Sequence, residues 1–266
     1  MLFKPKSRDS KASSVVAGMY RCSLICMAVI VSLTCRASDQ SPAVDATDSD
    51  SQWGSVTDLL DEKFKSNWKS FALDETNGDL AVWKRIPRQD RRDTELHCSG
   101  APRGYLHTTQ KFGDFELCFE WRFESDPNGN SGILVFTQDD PRLWPTSIQV
   151  QLHQPEAGSV FPVGEAVTDA TVRKEGLARP VGEWNRCRIV SLDGGVVVHI
   201  NGEKAGEVTG CTPGSGMIAL QSSGSEVHFR RMQVRVPADS ADDTTKSETN
   251  EAAADGSDAD SERAAG

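Results

Sequence analysis

Between Phe112 and Val135 the chain reads FGDFELCFEWRFESDPNGNSGILV, and this stretch restricts the fold more than any other. Phe115, Leu117, Phe119, Trp121 and Phe123 alternate with Glu116, Cys118, Glu120 and Arg122. A period of two puts the apolar side chains on one face of a strand and the ionisable ones on the other. A turn rich in Asp, Pro, Gly and Asn follows, then a second apolar run, Ile133 to Phe136. The chain must therefore build a sheet with one dry face and one polar face, and function is to be sought on the polar one.

Both ends are unlike this middle. Met1 to Arg21 carries Lys4, Lys6, Arg8, Lys11 and Arg21; an apolar run from Cys22 to Leu33 follows, then the small-x-small site Cys35-Arg36-Ala37. That order of zones predicts a secretory signal peptide over residues 1–37 and an exported, periplasmic or extracellular protein. The apolar run is short of the roughly 20 residues of a spanning helix, so no integral membrane segment is expected after signal removal. Residues 38–52 read as a disordered linker, and residues 238–266 as a disordered acidic tail, with nine acids against Lys246 and Arg263. No basic patch points to nucleic acid.

The core, residues 53–237, is long enough to bury a sizeable interior. Short runs rich in β-branched and aromatic residues recur along it with almost no helical period. They are Leu80–Ile86, Tyr105–Gln110, Phe115–Phe123, Gly132–Phe136, Ser147–Leu152, Trp184–Leu192, Val196–Ile200, Met217–Gln221 and Val227–Val236. Strands without intervening helices predict an all-β, antiparallel two-sheet sandwich or jelly roll. Asp193-Gly194-Gly195 and Asn201-Gly202 read as hairpin turns, Val56–Lys65 as a short helix or extended lead-in, and Gln154–Pro180 as a loop. Cys98, Cys118, Cys187 and Cys211 allow two disulfides in three pairings, or four buried thiols; none has CxxC spacing.

Few segments carry chemistry. Asp126-Pro127-Asn128-Gly129-Asn130 begins like a calcium loop but lacks its glycine and closing glutamate, so an Asx-capped turn is expected. Glu116 and Glu120 share a face but lie roughly 13 Å apart along a strand, too far for an acid/base pair. Each is also placed to pair with an arginine. In SIQVQLHQ, Gln149, Gln151 and His153 alternate onto one face. Amides donate to and accept from hydroxyls, so this row looks like a sugar-reading surface, with His153 as its titrating group.

FGDFELCFEWRF, NGNSGILVF, SIQVQL, GEWNRCRIV, HINGE, GMIALQSSG and VHFRRMQVRV occur in that order. Together with VTDLLDEKFKSNWK and CSGAPRGYLHT, they resemble the 3-keto-disaccharide hydrolase domain family over essentially the whole core. The resemblance implies a concanavalin-like jelly roll, usually exported, acting on oxidised sugars or glycosides. Arg122, Asn130, Ser131, Gly132, Gln151, Trp184, Asn185, Asn201, Gly202 and Gln221 follow the family pattern. Gln149 and Ser223 stand where the family commonly has acids, which bears on catalysis more than on fold.

Two functions are expected on this basis. The first is cleavage of a 3-keto-glycoside. A ketone at C3 acidifies the C2 proton, so one base and one electrophile suffice for elimination, after which water adds. Glu120 or His153 would be the base and Arg122, or a bound divalent metal of unassigned ligands, the electrophile. Asn130, Gln149, Gln151, Trp184 and Gln221 would bind the sugar. The second is a non-catalytic carbohydrate-binding module on the same scaffold.

Overall fold

The computed structural model describes residues 52–73, 82–89 and 94–240. In chain order the first elements are β1 (Thr57–Asp58), a one-turn helix α1 (Phe64–Asn67), β2 (Trp68–Ala72), β3 (Trp83–Ile86), β4 (Glu95–Cys98), β5 (Gly104–Phe112) and β6 (Phe115–Arg122). The rest are β7 (Gly132–Thr137), β8 (Ser147–Gln151), β9 (Val160–Val163), β10 (Asn185–Leu192), β11 (Gly195–Ile200), β12 (Glu203–Val208), β13 (Gly216–Ser222) and β14 (Val227–Arg235). They form two antiparallel sheets. One has eight strands in the order β12-β11-β10-β6-β14-β4-β3, with β1 also on β14; the other has six, β2-β5-β13-β7-β8-β9. This is the two-sheet jelly-roll sandwich that the strand pattern predicts.

The alternation in β6 does what its period dictates. Phe115, Leu117, Phe119, Trp121 and Phe123 are buried in one apolar core with Ile189 and Phe229 of the same sheet and with Leu106, Ile133, Val150, Ile218 and Leu220 of the other. Every residue of β7 is buried, like those of its neighbour β13 and all but the last of β8, because side chains on the outward side of these strands are covered as well. Two-residue turns close both expected hairpins: Leu192 pairs with Gly195 across Asp193-Gly194, and Ile200 with Glu203 across Asn201-Gly202. All four turn residues have positive φ, the type I′ geometry that Asp-Gly and Asn-Gly favour. Trp53 bridges Pro237, so the two ends of the sandwich meet.

Several elements differ from the sequence reading. Gln154–Pro180, read as loop, contains β9; its Pro162 has no N–H to donate, which fits a strand at the sheet edge. β12 was hidden by its charges, Glu203, Lys204 and Glu207, which suit an edge strand. Val56–Lys65 holds β1 and only the start of α1. The four core cysteines are free thiols, three of them buried and Cys118 half-buried, which is closer to the buried-thiol alternative than to two disulfides. Burial pushes the Cys98 and Cys118 thiols up to about 11. The Asx turn forms as expected: Asp126 Oδ1 accepts from Asn128 N at 2.9 Å. The expected signal peptide, nearly all of the linker and the tail beyond residue 240 lie outside the described residues. Among the described residues no helix is long and apolar enough to cross a membrane.

Candidate functional site

The outward face of the six-stranded sheet carries the neutral polar groups. In β8 the alternation sends Ile148 and Val150 into the core and Gln149 and Gln151 outward; in β13 Ile218 and Leu220 point in and Gln221 out. The three amides form a ladder. Gln221 Nε2 donates to Gln149 Oε1 at 3.1 Å, and Gln149 Nε2 donates to Gln151 Oε1 at 2.9 Å. Gln221 and Gln149 are only 3 % and 9 % exposed although they lie outside the core, so the ladder is recessed. Its terminal Gln151 Nε2 makes no hydrogen bond within the described residues, leaving a donor at one end.

Gly132 makes the ladder possible. A Cβ at this position would stand 2.3 Å from Gln221 Oε1 and 3.2 Å from Gln149 Nε2. The preceding Ser131 is buried, and its hydroxyl donates to the Gln221 carbonyl at 2.8 Å, fixing β13 against the approach to β7. Thus the Asn-Ser-Gly sequence clears the floor and pins the strand that bears Gln221.

Aromatic rings continue the row on the far side of Gln221. Tyr105 is its partner on β5, and Phe71 is the partner of Tyr105 on β2. The two rings stack with centroids 5.1 Å apart and an interplanar angle of 18°. Tyr105 packs with Leu134 and Ala219 in a small apolar cluster separate from the core. Burial, then Asp140 and Asp139, push its hydroxyl up to about 12, so it stays a proton donor at neutral pH. The His107 ring lies 5.8 Å from Tyr105. Burial holds this imidazole below its ordinary value, and Nδ1 lies 2.9 Å from the Thr108 carbonyl, so the proton sits on Nδ1 and Nε2 keeps its lone pair.

Asn130 and His153 extend the other end. Leu152 N donates to Ser131 O and Gln154 N to Gly129 O, which carries the β7–β8 register two residues past the strands and sets Asn130 opposite His153. His153 follows Gln151 by two residues in extended backbone, hence on the same side. Glu156 Oε2 stands 3.5 Å from His153 Nδ1, and Arg173 holds the other Glu156 oxygen at 3.2 Å. Five predicted site residues therefore share one face: Asn130, Gln149, Gln151, His153 and Gln221.

Glu120, Arg122 and Trp184 do not join them. They lie on the outward face of the eight-stranded sheet, on the other side of the core. Glu120 is 8 % exposed, and its oxygens accept from Arg230 Nε at 2.7 Å and Arg231 Nη1 at 3.2 Å. Glu116 is likewise held by Arg188 and Arg235. Arg122 pairs with Glu124 at 2.7 Å, and its guanidinium and that of Arg230 lie 4.6 and 4.2 Å from the Trp184 ring centroid. The expectation of a single site uniting Glu120 and Arg122 with the glutamines is corrected by this geometry, because the sandwich core separates them. Asn185 and Asn201 turn out to be structural pins: Asn201 Nδ2 donates to Asn185 Oδ1 at 3.0 Å and to Leu177 O at 2.8 Å, while Arg179 N donates to Asn185 Oδ1 at 2.7 Å. Tyr105, His107 and Glu156 were passed over in the sequence; the alternation in GYLHT was the available signal for the first two.

Among solved structures, the chain is similar in fold to a "putative glycosyl hydrolase" of Parabacteroides distasonis ATCC 8503, with 21 % identity, 67 % of this chain and 92 % of that one covered, and a TM-score of 0.49. It is also similar to the carbohydrate-binding module CBM66 of Bacillus subtilis, at 7 % identity over 63 % of this chain and 94 % of that one, TM-score 0.46. The alginate lyase A1-II′ of polysaccharide lyase family 7 aligns at 13 % identity over 65 % and 95 %, TM-score 0.45. No curated protein matches the sequence significantly. The family comparison is direct: residues 39–235 match the 3-keto-alpha-glucoside-1,2-lyase-like domain, a span that takes in the sandwich and reaches into the stretch read as linker. This chain belongs to the 3-keto-alpha-glucoside-1,2-lyase-like domain family.

Proposed function

We propose that the chain is exported and acts on a 3-keto-glycoside bound on the outward face of the six-stranded sheet. The observation that carries this reading is the recessed ladder Gln221–Gln149–Gln151, built from uncharged amides beside a stacked Phe71–Tyr105 pair. Amides read hydroxyls in both donor and acceptor senses, and aromatic faces accept the apolar face of a sugar ring. From Tyr105 through Gln221 and Gly132 to Gln151 is three strand spacings, roughly 14 Å, which accommodates two sugar rings.

In the proposed reaction His153 is the base. Nε2 takes the proton from C2, the C–H pair forms the C2–C3 enolate, and as the C3 carbonyl re-forms that pair becomes the C1–C2 double bond while the C1–O bond breaks and the leaving glycosidic oxygen is protonated by solvent. Glu156 beside Nδ1 holds the ring and favours the imidazolium that forms. Gln151 Nε2 and Asn130 supply donors for the developing C3 enolate. Water addition to the resulting unsaturated ketone completes net hydrolysis. The test is incubation with a 3-keto-glycoside in D2O: an ultraviolet-absorbing enone, or deuterium at C2, supports the elimination, and unchanged substrate with no exchange contradicts it.

A second reading, a sugar-binding module, is favoured by one feature. Gln149, where the family commonly has an acid, spends both ends of its amide inside the ladder. Saturable binding of the glycoside with no exchange at C2 would select it. Export rests on the basic, apolar and small-residue zones of residues 1–37. Secreted material whose intact mass still included Met1 to Ala37 would contradict it.

A further inference from the structure

The eight-stranded sheet carries a cluster that neither the ion pairs nor the sugar face explains. His97 on β4 and His228 on β14 are direct cross-strand partners, with ring centroids 4.9 Å apart on the outward side. Glu226, two residues before His228, leans over both. Its Oε1 lies 2.8 Å from His97 Nε2 and 3.7 Å from His228 Nε2, and one ligand atom from each residue falls within 4.8 Å of the other two. We propose that His97, His228 and Glu226 bind a divalent transition metal of the zinc type.

Three features fit a metal better than a plain ion pair. The donor set of two imidazoles and one carboxylate suits zinc and leaves a fourth position for water. Tetrahedral ligands about 2.0–2.2 Å from zinc stand roughly 3.3–3.5 Å apart, so the observed 2.8 and 3.7 Å bracket what is needed and side-chain rotation closes the rest. His228 is also oriented from behind: Glu95 Oε2 lies 3.2 Å from its Nδ1, and Glu95, 7 % exposed, is itself held by Arg88 at 3.1 Å. A carboxylate on the second nitrogen is how proteins fix the tautomer of a metal-binding imidazole.

The metal would act as a clamp. Glu226 ends the connection that leaves β13 just after Gln221 and Ser222. Within that connection Gly224 N donates to Gly100 O at 2.9 Å, and Ser225 Oγ accepts from Asn130 N at 3.0 Å while donating to Asp126 Oδ2 at 2.8 Å. Tying Glu226 to β4 and β14 therefore holds the link between the two sheets. This inference is independent of the proposed sugar chemistry.

The test uses the full untagged chain, stripped with EDTA, titrated calorimetrically with zinc chloride and melted with and without the metal. One zinc per chain should bind saturably and raise the melting temperature, with magnesium and calcium giving no rise. His97→Asn and His228→Asn should each weaken zinc binding at least tenfold, and Glu95→Gln, which removes only the orienting group, by about 10–100-fold. Their melting temperatures in EDTA report whether folding is intact; should His228→Asn fail there, the half-buried His97 decides the matter. No saturable binding at millimolar zinc would overturn the site in favour of an imidazole–carboxylate cluster only. Unchanged affinity in a folded His97→Asn variant would place the zinc elsewhere and overturn it equally.

Discussion

The two outward faces of the sandwich are both polar, yet they are polar in opposite ways. On the eight-stranded sheet, Glu116 and Glu120 on β6 meet Arg188, Arg230, Arg231 and Arg235 from β10 and β14, so charge is neutralised across neighbouring strands. On the six-stranded sheet, Gln149, Gln151 and Gln221 bond to one another, with the aromatic rings beyond Gln221 at one end and, at the other, a Gln151 Nε2 donor unspent among the described residues. Charged pairs locked by arginines have little left to offer a ligand. Uncharged amides keep donors and acceptors that a hydroxyl-rich ligand matches without the cost of desolvating a charge. The difference teaches that a polar face is not a functional face until its groups are seen to have unspent valence.

If that contrast is right, the two faces should separate under mutation into stability and function. The largest effect is expected from His153→Ala. Loss of a positioned base should lower the rate of C2 exchange by about 10²–10⁴-fold while leaving glycoside affinity within twofold. A rate drop matched by an equal loss of affinity would make His153 a binding group instead. Next, Glu120→Ala should destabilise the fold by about 2–3 kcal/mol, below the 3–5 of a fully buried pair because Arg230 and Arg231 are 17 % and 34 % exposed. Urea unfolding measures this, and sugar affinity should not move.

Gly132→Ala tests the ladder from the backbone side. Its Cβ would displace the Gln221 amide, so affinity should fall about tenfold or more with a stability cost of about 1–2 kcal/mol. The smallest effect is on pH. Burial lowers the titration of His107 and His199 relative to the unfolded chain, so the unfolded state takes up protons first as pH falls below about 6.5. Stability should therefore decline on acidification through that window, and His107→Gln should flatten the slope. Melting temperatures from pH 7 to 5 that are flat for both proteins would contradict the burial of these rings.

Much of this was readable in one strand at a time. The period of β6 correctly sends Phe115 to Phe123 inward, and SIQVQLHQ correctly puts Gln149, Gln151 and His153 on one side. What a single strand cannot reveal is which strands flank it. Arg230 and Arg231 both reach Glu120 because β14 slips register between Arg230 and Gln233, with Arg231 at positive φ. That pairing spans more than a hundred residues of sequence and leaves no local signature. Likewise Gln221 and Gln149 appear as separate residues until the missing side chain at Gly132 lets them touch. His228 lies in a run read as a strand and His97 in one that was not, and only their cross-strand register shows that they face each other.

The most direct test of where function lies is glycoside affinity, measured by calorimetry on Gln221→Leu and Arg122→Ala side by side. Both residues follow the family pattern, but they stand on opposite faces of the sandwich. The account predicts that Gln221→Leu weakens binding at least tenfold while Arg122→Ala leaves it within twofold. The reverse result, loss at Arg122 with Gln221 indifferent, would contradict it and move the site to the charged face.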